Sequence, residues 1–108
     1  MQPFIGDLSY EEFWVFYFNS ANRVIHKCRL SSGGITHTTV DIRLLFKNAL
    51  EQGAVSLILV HNHPSENTTP SKEDLELTER VRNAGDTLDI KLLDHVIVTE
   101  KEYYSINN

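Results

Sequence analysis

Two histidines separated by one residue follow an apolar run in the middle of this 108-residue chain. The run ends at Val60, and His61 and His63 come directly after it. Side chains of an extended chain alternate between faces, so both imidazoles are expected on the same face. Asp74 follows behind a loop that contains Pro64 and Pro70. Two histidines and one carboxylate would leave a fourth position open on a zinc-type ion, which suits catalysis better than a closed structural site.

Ser71 and Asp74 also have a purely structural interpretation. They form a Ser-x-x-Asp pattern, which resembles a helix capping box, although Glu or Gln is usual at its last position. A carboxylate in the first turn of a helix also interacts favourably with the helix dipole. Capping and metal ligation are compatible, because Ser71 can cap through its hydroxyl while Asp74 points at an ion. The pair of histidines before this pattern favours metal binding.

The pattern of the remaining chain predicts the element order ββαβαββ, with a mixed sheet packed against two main helices. The fold class is therefore α/β or α+β. Ser9 to Glu12 resembles a short helical turn with Ser9 as its cap. The expected strands are a hairpin over 13–18 and 23–30, a buried strand over 55–60, and a closing hairpin over 92–99 and 102–106.

Two helices are expected between these strands. Asp41 caps the first, which runs to about Gln52, and Gly53 supplies the left-handed residue after it. Ser71 caps the second, which ends near Gly85. The apolar residues on their inward sides are spaced by three and four, and these are Ile42, Leu45, Phe46 and Ala49 in the first helix and Leu77, Val81 and Ala84 in the second.

Length and composition bound the classes of protein to consider. The length fits one domain over residues 1–108, and no apolar run approaches the roughly 20 residues of a membrane span. The formal net charge of −5, from 10 Lys and Arg against 15 Asp and Glu, makes DNA binding by this domain alone an unfavourable hypothesis. Cys28 is the single cysteine, so no internal disulfide forms. With no signal-peptide pattern after Met1, we expect the cytoplasm.

The segment His61-Asn62-His63-Pro64-Ser65, with Ser71 and Asp74 at matching spacing, resembles the JAMM (JAB/MPN+) metalloprotease motif. The resemblance is closer to the RadC family, named for DNA repair, whose C-terminal domain has the motif His-Asn-His-Pro-Ser-Gly. Further similar segments are Gly6-Asp7-Leu8, Glu12-Phe13-Trp14-Val15, Ser31-Ser32-Gly33-Gly34, Lys47-Asn48-Ala49-Leu50 and Leu93-Asp94-His95-Val96-Ile97-Val98. RadC proteins usually have an N-terminal helix-hairpin-helix region as well. Nothing here resembles that region, so we expect the catalytic-type domain alone.

The resemblance implies a JAB/MPN-like sheet of the cytidine-deaminase type in a bacterial cytoplasmic protein. It implies one zinc ion held by His61, His63 and Asp74, with a water in the open position. Zinc would lower the pKa of that water toward about 7 and polarise a substrate carbonyl. Ser71 matches the motif serine that hydrogen-bonds the oxyanion of the tetrahedral intermediate. His95 is expected to have a structural or supporting role.

The family mechanism also uses an upstream glutamate as general base, and this chain departs from that pattern. Alignment of the Ser-Ser-Gly-Gly segment places Cys28 where the glutamate often stands. A small apolar strand residue is the favoured interpretation of Cys28 over a nucleophile. Glu66 lies in the loop between the ligands and is a candidate acid or base, although loop acids are usually solvated. Glu11 and Glu12 are weaker candidates.

Three hypotheses about function follow. The first is a zinc-dependent hydrolase that acts on a peptide or isopeptide. The second is a metal-binding module with weak or no turnover, because Cys28 replaces the expected base. The third is an accessory role in DNA repair, which depends on the family name. A zinc deaminase is disfavoured, because the chain lacks the Pro-Cys-x-x-Cys segment that such enzymes need.

Overall fold

The computed structural model describes residues 12–32, 40–63, 68–100 and 102–106, which form a five-stranded mixed sheet and two helices. The elements follow the predicted order ββαβαββ, and the α/β (α+β) fold class is confirmed. Their bounds are β1 Glu12–Phe18, β2 Val24–Ser32, α1 Ile42–Gln52, β3 Ser56–Asn62, α2 Lys72–Leu88, β4 Lys91–Val98 and β5 Tyr103–Ser105.

The sheet has the strand order β2-β1-β3-β4-β5, which makes β3 its central strand. β1 pairs antiparallel with β2 and β3, and β5 pairs antiparallel with β4. β3 and β4 are parallel, and α2 is the crossover between them. The carboxyl ends of β3 and β4 therefore meet the start of β1 at one edge of the sheet.

The main core lies between one face of the sheet and both helices. Alternate residues of β1 point into it, namely Phe13, Val15 and Tyr17. Leu57 and Leu59 of β3 share this cluster with Leu45, Phe46 and Ala49 of α1 and Val81 of α2. Trp14 and Phe16 lie on the opposite face, half-buried against Val60 and Val98. The run of aromatic residues in β1 thus lines both faces of the strand, as a strand near the centre of a sheet requires.

The predicted boundaries of α1 are confirmed. Asp41 is the N-cap, and its carboxylate accepts hydrogen bonds from the backbone N–H groups of Arg43 and Leu44. Gly53 ends the helix in the left-handed conformation with φ of 69°. A residue without Cβ adopts this conformation without steric cost, which explains the glycine.

The end of α2 differs from the expectation, because the helix continues past Gly85 to Leu88. Asp89 is the left-handed residue that follows, with φ of 58°. Gly85 is buried inside the helix, where a Cβ would lie 2.2 Å from the carbonyl oxygen of Ile90. This glycine therefore permits close packing of the backbone and does not end the helix. Of the expected inward residues of α2, Val81 is fully buried, while Leu77 and Ala84 are half-buried.

One further local expectation is wrong within the described residues. Glu12, assigned to a short helical turn with Ser9, is the first residue of β1 and pairs with Ser32 of β2. Pairing with neighbouring strands overrides the local capping pattern, while residues 9–11 lie outside the described part of the chain. Among the described helices, neither is long and apolar enough to cross a membrane.

Candidate metal centre

His61 lies on β3, the central strand of the sheet, and its side chain is buried. It pairs with Phe13 of β1 on one side and with Ile97 of β4 on the other, and only 4% of the residue is exposed. His63 lies just beyond the strand, and its backbone N–H donates to the carbonyl oxygen of Val98. The two imidazole rings have centroids 4.8 Å apart. The predicted juxtaposition of the two histidines is present.

Asp74, in the first turn of α2, meets both histidines. Its Oδ1 lies 3.3 Å from Nδ1 of His61, and its Oδ2 lies 3.2 Å from Nε2 of His63. The carboxylate is buried, with 8% of its side chain exposed. The crossover from β3 to β4 explains the meeting, because it places the start of α2 above the carboxyl end of β3.

Ser71 and Asp74 form the capping box of α2. The Ser71 hydroxyl accepts a hydrogen bond from the Asp74 N–H at 3.1 Å, and Asp74 Oδ2 accepts one from the Ser71 N–H at 2.8 Å. Burial alone would raise the pKa of Asp74, but the contacts with His63, His61 and Ser71 outweigh burial and lower it. Asp74 is therefore an anion at neutral pH, as a metal ligand must be.

A third histidine, His95, lies beside this group on β4 and is completely buried. Its Nδ1 is 2.7 Å from the hydroxyl of Thr78, on the inward side of α2. Its ring is 5.9 Å from that of His61 and 5.7 Å from that of Phe13, measured between centroids. Burial, followed by the influence of His61, lowers the pKa of His95 to about 3, so the ring is neutral near pH 7.

These side chains have the composition and spacing of a possible metal site. One donor atom from each of His61, Asp74 and His95 lies within 4.8 Å of the others, and all three residues are buried. His63 contacts the same carboxylate from beside this group. Imidazole and carboxylate groups are suitable ligands for zinc and other transition metals. Nε2 of His95 is buried and has no hydrogen-bond partner, so it is available as a donor to a metal ion. A cation fits this donor set.

The sequence associated His61, His63, Ser71 and Asp74 with one site, and the structure brings these four together. The structure also places His95 beside His61 and Asp74, although the sequence analysis gave His95 only a structural or supporting role. The signal in the sequence was the pair Asp94-His95 inside the otherwise apolar run 92–98, since a buried titratable group often marks a functional site.

The other predicted residues have different positions. Glu66 lies outside the described residues. Cys28 lies on β2 opposite Val15, and its sulfur is 3.6 Å from the side-chain nitrogen of Asn48. It packs against the main core, which agrees with its interpretation as a small apolar strand residue.

Glu12 is a buried acid that the sequence analysis kept only as a weaker candidate than Glu66. It begins β1 at the sheet edge that carries His61 and His63, and its backbone N–H donates to the side-chain oxygen of Asn62. Its carboxylate accepts hydrogen bonds from Trp14 Nε1 at 2.9 Å and from Arg29 at 3.2 Å. Among the described residues, Glu12 and Asp74 are the buried acids. The signal for Glu12 was an acid placed directly before a β-prone run.

The sheet with its two helices and a cluster of histidines and carboxylate defines a JAB-like α/β protein with a possible metal-binding site. The family model described as "RadC-like JAB domain" matches residues 1–108. The chain belongs to this family, as its motif indicated.

Curated relatives agree with this membership. The chain is 55% identical to a UPF0758 protein of Flavobacterium johnsoniae over 105 residues, which is 97% of this chain and 46% of the relative. A UPF0758 protein of Porphyromonas gingivalis is 39% identical over 96% of this chain and 46% of its own length. The UPF0758 protein YsxA of Bacillus subtilis is 41% identical over 92% of this chain and 43% of its own length. The chain spans about half the length of these bacterial relatives.

Proposed function

We propose that this chain is a zinc-dependent hydrolase domain of the JAMM type that cleaves an amide bond in a peptide or isopeptide. The observation that carries the proposal is the contact of Asp74 with both His61 and His63, at 3.3 and 3.2 Å. Ligands of a tetrahedral ion at 2.0–2.1 Å are separated by about 3.3 Å, so these spacings suit shared coordination. His61 and Asp74 are buried and the His63 side chain is only 14% exposed, which limits competition from solvent water.

A bound zinc ion would supply an activated water and a Lewis acid that polarises the amide carbonyl. The residues of the chain would supply the rest. The capping box holds the Asp74 carboxylate through the Ser71 N–H, so the ligand is oriented in advance. The Ser71 hydroxyl accepts from the Asp74 N–H and retains its own hydrogen for donation to a substrate oxygen. Ser71 is exposed, as a group that meets substrate must be.

We assign proton transfer to Glu12 in this proposal. Its burial, and its position at the sheet edge that carries the histidines, favour it over exposed acids. A general base near a zinc-activated water would take up one proton and return it to the leaving amine. In the structure its carboxylate is held by Trp14 and Arg29, so catalysis requires it to exchange these partners for the water.

The same contacts favour a second candidate function, a metal-binding module without turnover. Side chains alternate along β1, and Phe13 is the residue that pairs with His61. Alternation places Glu12 on the face of Trp14, opposite to His61. If Glu12 keeps these partners, no buried acid of the described residues other than the ligand Asp74 is left to act as the base, and the domain would bind the ion without hydrolysis.

The decisive experiment measures metal content and amide hydrolysis on the same preparation. The wild-type chain is purified without chelators, and zinc is measured by elemental analysis. Hydrolysis of fluorogenic peptides and of an isopeptide-linked substrate is then followed with and without a chelator. The hydrolase proposal expects zinc near one equivalent and turnover that stops when the chelator removes it.

The Glu12→Gln variant separates the two candidates, and Glu51→Gln on the exposed side of α1 is its matched control. For a hydrolase, Glu12→Gln retains zinc and loses about 10²- to 10⁴-fold in kcat, while Glu51→Gln is unchanged. For a binding module, the wild-type protein retains zinc and shows no turnover. A wild-type protein that binds no divalent metal contradicts both candidates.

A further inference from the structure

We propose that His95 is a ligand of the metal ion, and that its Nε2 adds a fourth protein donor to His61, His63 and Asp74. This inference rests on the metal binding proposed above, and it extends the ligand set beyond the sequence motif. His95 lies on β4, more than thirty positions after His61 in the sequence. The parallel pairing of β3 and β4 brings the two histidines together.

The protonation of the His95 ring follows from the single hydrogen of the Thr78 hydroxyl. Thr78 Oγ1 lies 2.8 Å from the backbone carbonyl oxygen of Asp74, which can only accept, so the hydroxyl hydrogen is donated there. In its second contact, at 2.7 Å, Thr78 must therefore accept from Nδ1 of His95. The proton of the neutral imidazole is then on Nδ1, and Nε2 carries a lone pair.

That lone pair has no hydrogen-bond partner in the structure. Nε2 of His95 is buried, and the whole residue is 0% exposed. A buried acceptor that lacks a donor destabilises the fold unless another group satisfies it. The ring stands next to His61, with a donor atom within 4.8 Å of those of His61 and Asp74. A cation shared with these two residues satisfies the lone pair.

The surroundings of His95 hold the ring as metal ligands are commonly held. A ligating histidine usually donates its other ring N–H to a neighbouring group, which fixes its orientation. Thr78 accepts that hydrogen bond and is itself anchored to the first turn of α2 through Asp74. The backbone N–H of His95 is also fixed, by Asp94 Oδ1 at 2.7 Å. Asp74 and His95 are therefore connected through one hydroxyl as well as through the proposed ion.

Four protein donors have a consequence for the ion itself. A zinc ion with four protein ligands in a tetrahedron has no open position, whereas catalysis needs a bound water. Retention of a water beside His61, His63, Asp74 and His95 therefore requires five-coordination. Loss of one histidine donor should return the ion to four ligands.

The test uses Co²⁺ as a spectroscopic probe in the purified 108-residue chain. Its d–d absorption bands grow stronger as the coordination number falls from five to four. His95→Asn retains an amide N–H near the position of Nδ1, where it can donate to Thr78, and removes the donor at Nε2. His95→Gln carries an amide oxygen near the position of Nε2. His26→Asn, on β2, is the control histidine outside the site.

The proposal expects wild-type and His26→Asn proteins to show the same five-coordinate spectrum and the same Kd for Co²⁺. His95→Asn should bind about tenfold or more weakly, with stronger d–d bands, and His95→Gln should recover part of the affinity. Circular dichroism in the presence of EDTA checks that each variant is folded. If His95→Asn does not fold, the spectrum of His95→Gln decides, since oxygen in place of nitrogen must shift the bands.

Two results would overturn the assignment of His95. An unchanged spectrum and Kd in the folded variants shows that His95 is not a ligand. Weaker binding with an unchanged spectrum shows that His95 only positions its neighbours. Failure of the proposed function looks different, because the wild-type protein then binds no Co²⁺ or binds it without hydrolysis. The first of these also removes the basis for His95 as a ligand, while the second leaves the spectral comparison decisive.

Discussion

Ser71 and Asp74 form two reciprocal hydrogen bonds between side chain and backbone, and the same Asp74 carboxylate contacts His61 and His63. A helix cap and a metal ligand are therefore one side chain. Oδ2 accepts from the Ser71 N–H and contacts His63, while Oδ1 faces His61. The stability of the helix terminus and the geometry of the site are linked at this residue, and Ser71 allows the two contributions to be separated.

Ser71→Ala should lower stability and catalysis without releasing the metal. The variant loses the hydroxyl cap of α2, which typically costs about 0.5–2 kcal/mol of unfolding free energy. The backbone N–H of Ser71 remains and still holds Asp74, so the Kd for zinc should change little. Loss of an oxyanion donor should reduce kcat by about 10²- to 10³-fold.

The control for Ser71→Ala is Asp41→Ala, which removes the equivalent cap from α1. Urea denaturation should show a similar loss of stability for both variants, while only Ser71→Ala loses activity. Equal activity of the two would mean that the Ser71 hydroxyl does not act on the substrate.

Local sequence patterns were sufficient to predict much of this fold. Asp41, Gly53 and Ser71 each have a backbone role that a short segment determines, and the structure confirms all three. The end of α2 was misjudged because Gly85 is required by contact with Ile90, which follows the helix. The local sequence does not distinguish a glycine that is needed for packing from a glycine that ends a helix.

The candidate site was only partly visible in the sequence for a similar reason. His61 and His63 share a strand end, so the period of the strand related them directly. His95 reaches the same point through pairing of β3 with β4, which no local pattern encodes. The burial of Glu12 depends on β2 and β3 on either side of it, so the sequence left Glu12 as a weaker candidate.

Gly85→Ala should destabilise the protein, although alanine favours helices over glycine by about 1 kcal/mol. The new Cβ would lie 2.2 Å from the carbonyl oxygen of Ile90, so the backbone of one element must move. Overpacking of this kind costs about 1–3 kcal/mol. Urea denaturation measures the change, with Asn83→Ala on the exposed side of α2 as control. The prediction is wrong if Gly85→Ala is as stable as the control.

Tyr17 should make the protein sensitive to alkaline pH. Burial is the main cause of the raised pKa of Tyr17, whose hydroxyl donates to the carbonyl oxygen of Leu45 at 2.8 Å. The unfolded chain loses the Tyr17 proton near pH 10, while the folded chain keeps it. Stability from this group is complete below pH 10 and falls above it, by about 1.4 kcal/mol per pH unit.

Tyr17→Phe should remove the contribution of Tyr17 to the fall in unfolding free energy above pH 10. It should also leave the Leu45 carbonyl oxygen without the hydrogen bond that Tyr17 donates. The second effect costs about 1–3 kcal/mol at neutral pH. Tyr103→Phe removes an exposed hydroxyl on β5 and serves as the control. Denaturant unfolding between pH 8 and pH 11 gives both quantities, and equal slopes for the two variants would contradict the role of Tyr17.

Metal binding should stabilise the fold, and His63 should contribute to this effect. An ion that binds only the folded state adds about 2.7 kcal/mol when present at 100 times its Kd. His63→Asn removes the imidazole that lies 3.2 Å from Asp74 Oδ2, so the same zinc concentration should stabilise this variant less. His26→Asn should be stabilised by zinc as much as the wild-type protein. Thermal unfolding with zinc and with EDTA measures the difference for each protein. A full increment in His63→Asn would mean that His63 orients Asp74 without binding the ion, because a lost ligand must weaken the affinity.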